Sequence, residues 1–367
     1  MKTYAPALYT AALLTACSPA ADSNHPSGQN APANTESDGK NITLLNASYD
    51  VARDFYKEYN PLFIKTYQSE HPGTSVSIQQ SHGGSSKQAL SVANGLQADV
   101  VTMNQSSDID LLEKKGLVEK GWQQALPDHA APYTSTMVFL VRKNNPKQIR
   151  DWNDLAKDGV NIVIANPKTS GNGRYAFLGA YGYGLKTTNG NEQEAQKLVA
   201  SILKNTPVFE NGGRAATTTF TQRNIGDVLI TFENEANYVS KKLTQGQFEI
   251  VYPSYTISAE SPVAVVNSVV AKKGTQKTAR AYLEYLWSEP AQKTARAYLE
   301  YLWSEPAQEL AASLYLRPRN PEVLARHKAD FPDLDTFSPE KKFGGWDNIM
   351  KTYFADGGIF DRLTAQK

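Results

Sequence analysis

From Asn41 onward the chain repeats one unit: a strand-like run, a short loop rich in glycine and serine, then a helix-like run. Ile42–Asn46 reads as a buried strand, and Phe55, Tyr59, Leu62, Phe63 and Tyr67 then fall at helical spacing, with Pro61 expected to kink that helix. Ser75–Gln79 is a second strand, Gln88 to Asn94 a helix closed by Gly95, and Asp99–Met103 a third strand. A βαβαβ order of this kind predicts a parallel sheet with helices on both faces and ligands at the carboxyl ends of the strands.

The pattern then restarts. Thr136–Val141, Asn161–Ala165, Val208-Phe209 and Asp227–Phe232 read as strands, and Trp152 to Ala156 as a helix. Tyr252 to Val270 is extended and β-branched, as expected of chain crossing back to the first lobe. The predicted fold class is therefore α/β, with two α/β lobes and a ligand cleft between them that closes on its ligand. The expected division is residues 41–132 plus about 258–320 for lobe I, and 133–257 plus about 321–367 for lobe II.

Three loops carry the functional signal: Ser81-His82-Gly83-Gly84-Ser85-Ser86-Lys87, Thr169-Ser170-Gly171-Asn172-Gly173-Arg174 and Asn211-Gly212-Gly213-Arg214-Ala215-Ala216. Each leads from a strand into a helix. Such a loop lets backbone approach a ligand, and it leaves the first N–H groups of the helix pointing outward at the positive end of the dipole. Each is a candidate oxyanion cradle. Lys87, Arg174 and Arg214 flank the loops, and spacing alone leaves open whether they pair with a ligand or with carboxylates outside the pocket.

Other chemistries find little support. The five histidines show no metal-ligand spacing, so no metal site and no cofactor are expected. His82 is read first as a loop brace and second as a ligand donor. Ser85 and Ser170 lie outside any G-x-S-x-G elbow and have no recognisable base, which argues against an enzyme. Gly179–Thr187, GAYGYGLKT, fails as a P-loop because Leu185 separates glycine from lysine; helix-capping glycines and aromatic packing explain it better. Lys and Arg number 38 against 37 Asp and Glu, without a basic block, so nucleic acid is not an expected partner.

The amino terminus reads as an export signal over residues 1–16, ending at the single cysteine, Cys17. Leu14-Thr15-Ala16-Cys17 resembles the bacterial lipobox, in which Cys17 is the lipidated first residue. Residues 17–40 then form a tether without large apolar side chains, with a reach of roughly 25 Å. No apolar run is long enough for an internal span, so membrane contact is expected through the lipid alone. Residues 277–292 and 293–308 are identical copies of KTARAYLEYLWSEPAQ. Two copies of so short a unit do not make a solenoid, and a tandem duplication is the favoured reading.

With these loops in hand, the chain resembles the periplasmic sulfate- and thiosulfate-binding proteins of ABC importers. The resemblance is carried by Leu44–Asp50, Gln80–Ala89, Ala131–Thr136, Asp151–Leu155, Asn166–Gly171, Gly226–Ile230 and Phe343–Trp346. It implies a type II periplasmic binding protein, a monomer that hands its anion to the permease subunits. It also implies that the dianion sits on backbone N–H groups of Asp50, Ser85, Gly171, Asn172 and Gly213 with the hydroxyl of Ser170. Phe232 stands where the sulfate binders carry a tryptophan donor, and Asn172 and Gly213 replace a glycine and an alanine. These departures resemble the thiosulfate branch. The rival expectations are an exported hydrolase of sulfate or phosphate esters, a receptor for another tetrahedral oxyanion, or a lipoprotein working through protein contacts.

Overall fold

The computed structural model describes residues 41–244, 246–273 and 296–365. The export signal, Cys17, the tether and the first repeat copy lie outside the described residues. Strand β1 (Asn41–Tyr49) carries buried Leu44, Asn46, Ala47 and Ser48, and it pairs in parallel with β2 (Ser75–Gly83) and β3 (Val100–Thr102). Between β1 and β2 runs helix α1 (Arg53–Glu70), which continues through Pro61 as one helix. Phe55, Tyr56, Tyr59 and Phe63 on its inner face stack and meet edge-on with Tyr133 and Tyr298. Helices α2 (Ser85–Ala93) and α3 (Ser106–Lys114) follow β2 and β3.

The second sheet is built around β4 (Tyr133–Arg142), β5 (Ile162–Ala165), β6 (Val208–Glu210), β7 (Val228–Phe232), β8 (Phe248–Val251) and β9 (Thr256–Glu260). It is mixed: β5 pairs in parallel with β6 and β7, whereas β4 runs antiparallel to β7, β8 and β9. Strand β10 (Val263–Val265) returns to the first sheet, antiparallel to β3, giving that sheet the order β10-β3-β1-β2. The return therefore falls at Ser261-Pro262. Ser258–Glu260 belong to the larger sheet, slightly past the division expected at about 258, and Arg317–Pro318 (β11) also pair with β4.

Helix α4 (Gly171–Thr187) is buried along most of its length, with α5 (Glu192–Lys204) packed against it. The GAYGYGLKT run is its C-terminal half. Gly179, Gly182 and Gly184 do not cap a helix. A Cβ on them would meet Trp152 at 2.8 Å, Phe337 at 2.2 Å and the Ala195 backbone at 2.9 Å, so they are contact glycines. Helix α6 (Gly213–Thr221) lies between β6 and β7, and α7 (Glu305–Ser313) begins inside the second repeat copy. There Ser304 accepts from Ala307 N–H and Pro306 sits in the first turn, so the proline opens a helix rather than bending one.

Candidate anion site

The three Gly/Ser loops are the N-termini of α2, α4 and α6, with Gly84, Ser170 and Gly212 as their N-cap residues. None of the three caps has a side chain closing its helix. Elsewhere Asp151, Asn191, Ser304, Asn320 and Ser338 do close theirs. An absent cap is common by itself. What distinguishes these three is that they meet.

A Cβ on Gly84 would lie 3.3 Å from the Thr169 carbonyl oxygen and 4.0 Å from that of Asn211, which sets the first loop against both others. Thr169 Oγ1 donates to the Asn211 carbonyl at 3.5 Å. From the end of β1, the Asp50 carboxylate accepts from Arg214 N–H at 3.2 Å and from its neighbour Val51 N–H at 3.1 Å. The dipole ends of one helix from the first lobe and two from the second thus converge, with Asp50 beside them.

The flanking cations are turned to other partners. Arg174 donates to the Pro167 and Lys168 carbonyls and, across the cleft, to Ser86 Oγ at 2.7 Å. Ser86 and Ser85 in turn donate to Asp108 at 2.8 and 2.6 Å, and Gln105 adds a third donor. Burial pushes the Asp108 carboxyl up, against the pull of Arg174 and these donors. Burial likewise lowers the Arg174 guanidinium, with Asp108 opposing. Arg214 pairs with Asp54 at 2.8 Å across the cleft and with Glu235 at 3.5 Å; these carboxylates outweigh burial and hold its guanidinium above the usual value. Lys87 is exposed.

His82 lies opposite Ser48 in the β1–β2 register and its Nδ1 meets Ser48 Oγ at 2.7 Å, which is the bracing position. Burial and the charge of Arg53 push its ring down to about 4, so it is neutral at physiological pH. Ser170 N–H donates to the Asn166 carbonyl, and the Ser170 carbonyl accepts from Arg174 N–H, which fixes the backbone that carries its hydroxyl. Phe232 is buried at the end of β7, edge-on to Tyr175 with ring centroids 5.6 Å apart. It contributes an apolar ring and no donor.

Two residues beside the loops were absent from the sequence reading. Asp108 is the hub just described. Asn104 follows β3, at the same carboxyl edge of the sheet as Asp50, and its Oδ1 lies 2.1 Å from where a Gly171 Cβ would be. The signal was available: the rule that puts ligands beyond strand ends covers Asn104 as well as Ser85.

Among the described residues no group of three His, Cys, Asp or Glu is placed to hold a metal ion. A cavity of about 840 Å³ lies elsewhere, bounded by Trp122, His129, Tyr175, Glu260, Glu340 and Trp346. None of Asp50, Ser85, Ser170, Gly171, Asn172, Gly213 and Phe232 lines it. Its lining combines aromatic rings and carboxylates with Lys341, Lys342 and several hydroxyls, whereas the helix dipoles converge at the loops.

The sequence profile of the bacterial extracellular solute-binding protein family matches residues 47–298. The chain is 55% identical over 321 residues to a thiosulfate-binding protein of Pseudomonas aeruginosa, covering 87% of this chain and 91% of that protein. It is 46% identical over 325 residues to a sulfate-binding protein of Escherichia coli, covering 89% and 94%. Among solved structures, the sulfate-binding protein SubI from Mycobacterium tuberculosis superposes with a TM-score of 0.73 at 28% identity, over 86% of this chain and all of that one.

Proposed function

The chain belongs to the bacterial extracellular solute-binding proteins, and from that premise we propose that it captures thiosulfate or sulfate in the interlobe cleft for an ABC permease. The observation that carries this reading is the meeting of three helix N-termini, none closed by the side chain of its own N-cap residue, while Arg174 and Arg214 are engaged elsewhere. A doubly charged anion in such a cradle is held by N–H donors of Asp50, Ser85, Gly171, Asn172 and Gly213 and by the Ser170 hydroxyl. Its charge is dispersed into peptide dipoles instead of being neutralised by a cation. Because the donors come from both lobes, the anion itself bridges the cleft and stabilises the closed form.

Donors also select. Sulfate and thiosulfate carry no proton at neutral pH, whereas phosphate does, and a buried P–OH left without an acceptor costs roughly 1–3 kcal/mol, the Asp50 carboxylate being already engaged by the N–H groups of Arg214 and Val51. Phe232 offers an apolar ring edge, which suits a terminal sulfur that is larger than oxygen and a poorer acceptor. Thiosulfate is therefore bound at least as well as sulfate. The protein performs no chemistry on the anion. It works as an exported monomer in the periplasm, lipidated at Cys17 and held by the tether of residues 17–40.

Calorimetric titration of ligand-free protein with thiosulfate, sulfate and phosphate tests the reading. One-to-one binding of the first two, thiosulfate no weaker, and no heat from phosphate is the expected result. Sulfate many-fold tighter than thiosulfate overturns the preference. Heat from neither overturns the function.

A further inference from the structure

Two side-chain amides beside this cradle, Asn104 and Asn172, have a buried oxygen without a hydrogen-bond partner, and Asn172 is the one carried by a second-lobe helix. Asn172 is 3% exposed, and its Oδ1 is buried without a hydrogen-bond partner. It is the second residue of α4, so its side chain springs from the turn whose N–H groups face the cleft. The opposite end of the amide, Nδ2, lies 3.3 Å from Thr231 Oγ1 near the end of β7. Gly213, the first residue of α6, leaves room for it: a Cβ there would lie 3.2 Å from Nδ2 and 3.4 Å from Cγ. The amide is therefore wedged between the N-termini of the two second-lobe helices.

A threonine hydroxyl donates as well as it accepts. A half-turn of Asn172 about χ2 exchanges Oδ1 and Nδ2 almost without moving the rest of the side chain. Oδ1 then accepts from the Thr231 hydroxyl, and Nδ2–H stands where the partnerless oxygen stood. We propose that the Asn172 side-chain amide is a further ligand-binding group of the anion site, presenting Nδ2–H to one substituent of a bound tetrahedral anion, and that with Gly213 it sets which anions fit.

The inference rests on the functional reading above and deepens it. Backbone N–H groups in helix first turns are fixed, whereas a side-chain amide adjusts by its own torsions to a substituent longer than oxygen. The ligand class this favours is a sulfur oxyanion with one larger, unlike substituent. Residues 172 and 213 are coupled, because a methyl group at 213 would press on the amide, 3.2 Å from Nδ2 and 3.4 Å from Cγ, and displace it slightly.

Three variants test it by calorimetry with thiosulfate, sulfate and phosphate, alongside thermal melting of the ligand-free protein. Asn172→Leu keeps the volume and removes the amide; it is expected to weaken thiosulfate at least tenfold without lowering the ligand-free midpoint. Gly213→Ala alone is expected to weaken both anions. The double exchange Asn172→Gly with Gly213→Ala is expected to recover binding relative to Gly213→Ala and to move the thiosulfate-to-sulfate affinity ratio at least fivefold toward sulfate. This variant decides the matter if the leucine variant fails to fold.

Wild-type affinities in Asn172→Leu, or an unchanged ratio in the double exchange, overturn the proposal. Phosphate binding by the wild type that Asn172→Leu abolishes also overturns it, since the oxygen would then be the end facing the anion. A wild-type protein that binds neither sulfur anion fails at the functional reading, and the proposal falls with it.

Discussion

Replacing Gly173 with alanine places a methyl group 2.2 Å from the Ala165 carbonyl oxygen and 2.7 Å from the Pro167 nitrogen, both backbone atoms of the same lobe. Nothing there can yield cheaply, so Gly173→Ala is expected to lower the melting midpoint of the ligand-free protein. Gly171→Ala meets the Asn104 side chain, which reaches in from the other lobe. It is expected to fold normally and to lose anion affinity because the cleft cannot close; a midpoint drop matching that of Gly173→Ala would contradict this. Ser170→Ala removes one donor to a charged ligand, an effect of about 1.5–3 kcal/mol, so affinity should fall roughly tenfold or more with folding intact. Asp50 adds a pH signature. Burial holds its carboxyl above the usual range, against the pull of Arg214 and Val51 N–H. The ionised form therefore costs stability at neutral pH, and that cost is relieved as pH falls through the raised pKa. Relative to Asp50→Asn, the wild type should gain stability on acidification in denaturant melts; a pH-independent difference would contradict the assignment.

At the scale of elements, Asp108 ties α2, α3 and α4 into one frame through Ser85, Ser86 and Arg174. Asp108→Ala leaves the Ser85 and Ser86 hydroxyls without their acceptor, which costs about 1–3 kcal/mol for each buried group left unpaired. Guanidinium melts should show a large loss, and a loss below 1 kcal/mol would mean that the frame is held elsewhere. Strand-loop-helix order was legible because periodicity is local, and so were the three loops. The hub was not. Asp108 looks like an ordinary first-turn acid of α3, and only the fold brings Arg174 near it. Helix α1 runs through Pro61 as one element, with its aromatic face packed on both sides of the proline. The glycines of α4 were misread as caps because their neighbours Trp152, Phe337 and Ala195 are distant in sequence.

At the scale of the molecule, Arg214–Asp54 and Arg174–Ser86 cross between the lobes. Which residues cross was invisible in the sequence, whereas the existence of two lobes followed from the restart of the strand pattern after residue 132. Of the repeat, the structure describes residues 296–308, in the second copy. There Tyr298 is buried and joins Asn46 at 3.1 Å and Asn60 at 2.9 Å, and α7 starts from Ser304. Deleting residues 277–292 keeps all of these contacts, so anion affinity should be unchanged; a large loss would assign the first copy a role in the site. The central claim is that the anion lies where the three helix N-termini meet. Crystals soaked in thiosulfate, with anomalous scattering from sulfur, test it most directly. The expected result is a pair of sulfur peaks beside the first turns of the three helices, with the anion's oxygens accepting from the N–H groups of Ser85, Gly171 and Gly213; peaks in the cavity beside Glu340 and Trp346 would contradict it.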